Sequence, residues 1–282
     1  MLSQTHPGGA ATQLAYKLIA LDVDGTIRSH DHPTSERTRR TIQSVKDAGA
    51  IVTIATGRSY KSGASAASDV NLTAPIVTFQ GAHVADPRTG EVLWHAPLTR
   101  DMTAAALDAL TGWKDVQAAG YLGDEIFVTE MTDWARAYGE RTGVAVRVVD
   151  SEELATISLS RIVVHGEDDV IERLERSLKT YFDGDMYITR SLPYFCEILH
   201  PNGGKDKALE WLCGHLGVRP DQTIAFGNGY NDVHMLEWAR MSVAVGDAVE
   251  EVLKIADVVA PPMEEDGVAQ ILDDLMGKGL IG

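Results

Sequence analysis

Leu18-Ile19-Ala20-Leu21-Asp22-Val23-Asp24-Gly25-Thr26 is the stretch that decides the fold. Its first four residues form an uninterrupted apolar run, the pattern of a parallel strand covered on both faces. The run ends in two carboxylates two residues apart, followed at once by a glycine. Like charges at that spacing repel, and a neighbouring apolar sheet makes ionising both costlier. A strand-end turn accounts for Asp and Gly as residue types. A cation, or a division of protonation roles, accounts for the pair. Asp22 would then be ionised, as nucleophile and metal ligand, while Asp24 handles protons.

Working outward, Ser35 is placed to cap a helix, with Glu36 favourable in its first turn. Thr38, Ile42, Val45 and Ala48 follow at helical spacing, and Gly49 closes the segment. Ile51-Val52-Thr53-Ile54-Ala55 reads as a second strand, ending at Thr56-Gly57-Arg58. Ala- and Ser-rich helical sequence leads to a third strand at Ile76-Val77-Thr78-Phe79. Strand, helix, strand, helix, strand predicts a parallel sheet with right-handed crossovers.

After Gly81 the character changes. Asp86-Pro87-Arg88-Thr89-Gly90 predicts a hairpin turn between His83-Val84-Ala85 and Val92-Leu93-Trp94. Helical patterns over 100–111, 133–142 and 168–181 then mix with strands near 126–129, 146–149, 161–165 and 186–190. That mixture predicts a separate α+β module with an antiparallel sheet. The parallel pattern is expected to resume near Phe195, with a helix over Lys205 to Leu216 and a buried strand at Thr223-Ile224-Ala225-Phe226. Strands at 242–245 and 258–259 and a helix over 267–276 complete it. The predicted fold is α/β. A Rossmann-like three-layer parallel-sheet core spans 16–82 and 193–282, an inserted α+β cap spans 83–192, and a disordered leader spans 1–15. Ligands in such sheets bind beyond the carboxyl ends of strands, where the winding reverses. Asp22, Thr56 and Asn228 each follow a predicted strand end.

Composition narrows the function. The 282 residues, 44% hydrophobic, suffice for one large core or two smaller ones. A net charge of -16 argues against nucleic acid and anionic membranes as partners. It also opposes long-range steering of an anionic substrate, so local cations must do the attracting. Cys196 and Cys213 are too few for a disulfide framework and read as core residues. The first fifteen residues lack the basic start and apolar core of a secretion signal, and no run approaches membrane-spanning length. The expected location is cytoplasmic.

Four elements now stand in order: Asp22-Val23-Asp24-Gly25-Thr26, Thr56-Gly57-Arg58, Lys205 within Gly203-Gly204-Lys205-Asp206-Lys207-Ala208-Leu209, and Gly227-Asn228-Gly229-Tyr230-Asn231-Asp232. Together they resemble the haloacid dehalogenase-like phosphatase superfamily, and more narrowly its Cof-type sugar-phosphatase branch, where a large cap lies between the second and third motifs. The resemblance covers nearly all of the chain after residue 16, including Ala256-Asp257-Val258-Val259 and Glu265-Asp266-Gly267-Val268. It implies Mg²⁺-dependent phosphotransfer through an aspartyl-phosphate. The implied substrate is a small phosphorylated metabolite, with sugar phosphates first and nucleotide- or vitamin-derived phosphates behind.

By the same resemblance Asp22 is the nucleophile. Asp24 is the general acid, in a cation-poor position that keeps a proton on it, and its backbone carbonyl is a metal ligand. Thr56 and the Gly57 N–H would bind the transferring phosphoryl group. Lys205 would neutralise it and hold Asp22 ionised. Arg58 either touches substrate or packs on its own domain. Asn231 joins the phosphate-binding set, and Asp22, Asp24, Asn228 and Asp232 the metal set.

The chain departs from the family pattern at three positions. Asn228 replaces the usual metal-binding aspartate, and an amide oxygen lacks the charge that a hard cation prefers. Three readings of that change compete: weaker yet sufficient metal binding, compensation by another carboxylate, or loss of activity. A phosphomutase or phosphotransferase, and a phosphometabolite-binding regulatory protein, are the alternative functions. Gln80-Gly81-Ala82 stands where Asn-Gly-Ala is common, and Asp206 where glycine is usual, so the hinge and the Lys205 turn are expected to differ. His30 and His32 lack a third ligand and read as loop residues. Trp94, Trp113, Tyr121 and Trp134 read as core packing by default.

Overall fold

The computed structural model describes residues 15–29 and 31–281. Residues 1–14 of the expected leader, and His30, lie outside them. Along the chain the strands are β1 (Leu18–Leu21), β2 (Ile51–Ile54), β3 (Ile76–Thr78), β4 (His83–Ala85), β5 (Val92–His95), β6 (Val116–Leu122) and β7 (Glu125–Val128). They continue with β8 (Ala145–Val148), β9 (Arg161–Gly166), β10 (Tyr187–Leu192), β11 (Phe195–Leu199), β12 (Thr223–Gly227), β13 (Met241–Val245) and β14 (Val258–Ala260).

One sheet runs β14-β13-β12-β1-β2, and every pair in it is parallel. Residues of alternating size stack its layers. Ile19, Leu21, Ile224, Phe226, Val243 and Val245 point to one face, where helices Glu36–Asp47 and Gly267–Gly277 bury Ile42, Val45, Leu272 and Leu275 against them. Ala20, Ala225 and Ala244 point to the other face and pack with Ala208, Leu209 and Leu212 of helix Lys205–Leu216. The small residues let that helix approach the sheet closely. The winding goes from β1 to β2 on one side and from β12 to β13 on the other, so the reversal lies between β1 and β12. Asp22 and Asn228 leave the sheet there, as expected for an open α/β fold.

A second sheet runs β10-β11-β9-β6-β7-β8, antiparallel except for the parallel pair β7 with β8. One face packs on helices Arg100–Leu110 and Asp168–Phe182. Two features differ from the sequence expectation. The segment at Phe195, expected to reopen the parallel core, pairs along its length with β9 and β10 in this second sheet. Its apolar run fits a buried strand in either sheet, and periodicity does not choose between them. The β4–β5 hairpin, expected to open the cap, instead joins β3 in a separate three-stranded antiparallel sheet. Strand β6 had no sequence counterpart, because Ala118-Ala119-Gly120 carries little β-propensity.

Candidate active site

Asp22 is 5% exposed at the end of β1. Its Oδ1 accepts from Lys205 Nζ at 2.7 Å and its Oδ2 from the Thr26 hydroxyl at 3.2 Å. Lys205 opens its helix behind Gly204 and is itself 1% exposed. Its Nζ also lies 2.7 Å from Asp232 Oδ1. Asp206 in the same turn leaves this contact intact. An acidic residue in a helix's first turn complements the helix dipole. Asp232 Oδ2 accepts the backbone N–H groups of Asn228 at 3.0 Å and Gly229 at 2.9 Å, so this carboxylate braces its own loop. Residues 183 and 27 positions from Lys205 thus meet one ammonium.

The electrostatics follow from that count of charges. Burial opposes the charge on Lys205, but the two carboxylates outweigh it and raise its pKa. Burial, reinforced by Asp232, pushes the Asp22 carboxyl up to about 7 against the opposing pull of Lys205. With both carboxylates ionised the buried cluster carries one excess negative charge.

That excess is what a hard dication would fit. Asp22 Oδ2 and Asn228 Oδ1 lie 3.2 and 3.4 Å from the same Thr26 Oγ1. Among the described residues no three His, Cys, Asp or Glu side chains gather as a metal cluster. Asn228 brings a neutral amide oxygen, and Asp232 commits both oxygens to Lys205 and the loop amides. An all-oxygen set suits Mg²⁺. Gly25 makes the turn beneath it: its φ is +82°, and a Cβ there would meet Asn228 Nδ2 at 2.2 Å.

Asp24 departs from expectation. Its side chain is 56% exposed and held by both arms of Arg58, with Nε–Oδ2 at 2.8 Å and Nη2–Oδ1 at 2.5 Å. The position is therefore not cation-poor. Arg58 was read as either substrate contact or domain packing; it pairs with Asp24 and Ser62 and also lines the cavity. Its own pKa is raised by the hydrogen bond to Asp24. Thr56 is buried after β2, and its hydroxyl accepts the Arg58 N–H at 3.2 Å. Gly57 lies beside it in the cavity wall.

Asn231, expected among the phosphate-binding residues, lines the cavity. Its Nδ2 donates to Gln80 Oε1 at 2.9 Å, and Gln80 Nε2 donates to Glu197 Oε1 at 2.8 Å. Gln80 and Phe79 adopt φ of +57° and +50°, a costly conformation for residues with side chains. Backbone bonds from Phe79 N to Arg58 O and from Gln80 N to Thr56 O hold the turn in place.

These groups line a cavity of about 830 Å³. Its floor includes Asp22, Asp24, Thr56, Arg58, Asn228 and Asn231, and its roof includes Tyr121, Tyr138, Arg161, Phe195 and Glu197 from the second sheet and its helix Asp133–Thr142. Sequence reading missed Arg161 and Glu197 altogether. A signal was present: each is a charge at an otherwise apolar strand, Arg161-Ile162-Val163-Val164 and Phe195-Cys196-Glu197-Ile198-Leu199. Tyr121, read as packing, is buried in the roof, whereas Trp94 stacks on Trp211 and Trp134 on His165. His32 is exposed, and both cysteines are buried and free. No helix among the described residues is long and apolar enough to cross a membrane.

Comparison with known proteins agrees with this geometry. Residues 19–272 match the model of a haloacid dehalogenase-like hydrolase. The 5-amino-6-(5-phospho-D-ribitylamino)uracil phosphatase YitU of Bacillus subtilis is 30% identical over 261 residues, covering 91% of this chain and 96% of that protein. A haloacid dehalogenase-like hydrolase from Bacteroides thetaiotaomicron superposes with a TM-score of 0.75 at 26% identity, covering 92% of this chain and 99% of the other. BT1666 from the same organism has a TM-score of 0.80 at 24% identity over 99% of this chain and all of its own, a likeness of fold. With the four motifs gathered at one strand-end crevice, the chain belongs to the haloacid dehalogenase-like hydrolases, in their Cof-type phosphatase branch.

Proposed function

We propose that the protein is a cytoplasmic, Mg²⁺-dependent phosphatase that hydrolyses small phosphomonoesters, sugar and sugar-alcohol phosphates first, through an aspartyl-phosphate on Asp22. The observation that carries this reading is the buried Asp22–Lys205–Asp232 cluster at the end of β1, with Asp22 open to the cavity. The phosphorylated ribityl chain in the name of the Bacillus relative supports the substrate class. The module carrying the second sheet acts as the cap, with a working extent from about Leu98 to Leu199 rather than 83–192.

In this reading the Asp22 carboxylate attacks phosphorus in line, and the bond from phosphorus to the leaving oxygen breaks. Asp24 gives its proton to the departing alkoxide. Water then attacks the acyl phosphate, Asp24 takes the water's proton, and Asp22 is regenerated as inorganic phosphate leaves. Asp24 must part from Arg58 to carry that proton, since a protonated carboxyl does not accept the guanidinium fork. Thr56 and the Gly57 N–H bind the non-bridging oxygens, and Lys205 keeps Asp22 charged and oriented. Asp22, the Asp24 carbonyl and Asn228 would hold Mg²⁺, with Asp232 acting through its loop, and the ion supplies positive charge to the phosphoryl group. Roof over floor excludes water during the first step.

The test is direct. Purified protein with Mg²⁺ is expected to release phosphate from 4-nitrophenyl phosphate, and Asp22→Asn to abolish release. Activity that survives Asp22→Asn refutes the nucleophile. Asn228 favours a second reading, a binding protein without turnover; thermal stabilisation by sugar phosphates with no phosphate release across a metabolite panel would select it.

A further inference from the structure

The cavity roof holds a charge pair that the chemistry at Asp22 does not use. Arg161 on β9 and Glu197 on β11 have side chains 8% and 3% exposed, with Arg161 Nη1 2.6 Å from Glu197 Oε2. Removing two such charges from water is costly, and the pair repays it only with good geometry and complete hydrogen bonding. Glu197 is complete, since its Oε1 accepts from Gln80. Arg161 is not. Its Nε is buried without a hydrogen-bond partner, and its guanidinium lies over the Tyr121 ring at 4.9 Å and the Phe79 ring at 5.7 Å. Nε is enclosed, but Arg161 lines the cavity and its Nη2 makes no hydrogen bond, so that nitrogen is the donor an occupant can meet.

The geometry points to Arg161 as a substrate-binding residue that donates to an uncharged oxygen, hydroxyl or carbonyl, on the leaving group of the phosphomonoester, while Glu197 orients it and cancels its charge. This rests on the phosphatase reading and narrows its substrate class to esters whose leaving group carries no second anion. Charge decides the point. In the roof Glu197 cancels Arg161 and Asp124 adds a negative charge, so a second phosphate or carboxylate placed there would face Glu197 and Asp124 at low dielectric, while the cations Arg58 and Lys61 line the opposite wall. A hydroxyl or carbonyl meets no such repulsion. Tyr138 and Phe195, both partly exposed in the lining, offer surface for a sugar carbon chain or a ring. The relay from Glu197 through Gln80 to Asn231 ties the recognising pair to the loop that carries Asp232.

The experiment uses two backgrounds. In the otherwise wild-type enzyme, Arg161→Met is expected to lower kcat/KM for ribose 5-phosphate and glucose 6-phosphate by about 10- to 100-fold, chiefly through KM, the range for a hydrogen bond to a charged group. The loss on 4-nitrophenyl phosphate is expected to be several-fold smaller, and Arg161→Lys is not expected to restore the sugar phosphates. Glu197→Gln removes the cancelling charge and is expected to raise kcat/KM for glucose 1,6-bisphosphate relative to glucose 6-phosphate; it serves as the readout if Arg161→Met fails to fold. In the Asp22→Asn background the same ligands are titrated by calorimetry, where Arg161→Met is expected to weaken the sugar phosphates and spare inorganic phosphate. Equal losses on every ligand, or a wild-type preference for the bisphosphate, overturn the inference and leave the phosphatase reading standing. Absence of phosphate release from every ester overturns the phosphatase reading, while the calorimetric comparison still decides Arg161. Absence of binding as well overturns both.

Discussion

Asn228→Asp would add a charge to the proposed metal site, and its effect can be worked out from the positions of two oxygens. Asp22 Oδ2 and Asn228 Oδ1 lie 3.2 and 3.4 Å from one hydroxyl, so they can be no farther apart than about 6.6 Å. Two unit charges at that separation or closer repel by at least about 2.5 kcal/mol at an effective dielectric of about 20. Without metal the variant is therefore expected to be less stable at pH 8 by about that amount, roughly 5–10 °C in Tm for a chain of this size. Mg²⁺ removes the repulsion when it binds, so the same energy returns as affinity. At about 1.4 kcal/mol per tenfold, the Mg²⁺ concentration for half-maximal activity is expected to fall by about 60-fold or more. The assay pairs a Mg²⁺ titration of phosphate release with thermal melts at each concentration, because ligand binding stabilises the folded state by mass action. Wild type and variant should cross: the variant melts lower in chelator and gains more from Mg²⁺. An unchanged half-maximal concentration together with parallel melting curves would remove Asn228 from the metal site.

Lys205→Met strands Asp22 and Asp232 in the interior without a cation and is expected to cost about 3–5 kcal/mol at pH 8, with partial recovery at acid pH as the carboxyls take up protons; a loss below about 1 kcal/mol in denaturant titration would contradict the cluster. Gly81→Ala puts a Cβ 2.0 Å from the Gly204 carbonyl at a φ of +91°, so both Tm and activity should drop, and an unchanged melt would mean the hinge is wrongly placed. Burial, with His95 adding to it, pushes His83 down to about 4. The unfolded chain, with an ordinary histidine pKa near 6.5, then binds the extra proton first, so stability should decline as pH falls from about 6.5 to about 4. His83→Gln should flatten that slope of Tm against pH; an identical slope would show that the ring is not held neutral.

Much of the layered core was legible because its signals are local. Helix Lys205–Leu216 and helix Asp133–Thr142 fall where their helical patterns predict, and Ser35 caps its helix by accepting the Thr38 N–H. Strand β6 was missed because its Ala-Ala-Gly centre is weakly β-forming alone and is held by two neighbouring strands. Strand β11 was assigned to the wrong sheet because an apolar run records burial, not the identity of its neighbours. At the site, Asp22, Lys205 and Asp232 converge as their motifs imply. The partner of Asp24 did not follow from its motif, because no local pattern states that Arg58 lies opposite, 34 residues on.

From residue order alone came the parallel α/β core and the strand ends that carry Asp22, Thr56 and Asn228; the family resemblance added the charge missing at Asn228. These are properties of single segments, set by periodicity, turn chemistry and the valence of one side chain. Tertiary structure alone decided the Arg58 clasp on Asp24 and the line of hydrogen bonds from Asn231 through Gln80 to Glu197 and Arg161. Gln80 and Glu197 are 117 residues apart, and a buried hydrogen bond depends on distance and angle within a few tenths of an ångström. Only the packing of the second sheet over the first brings such atoms into register.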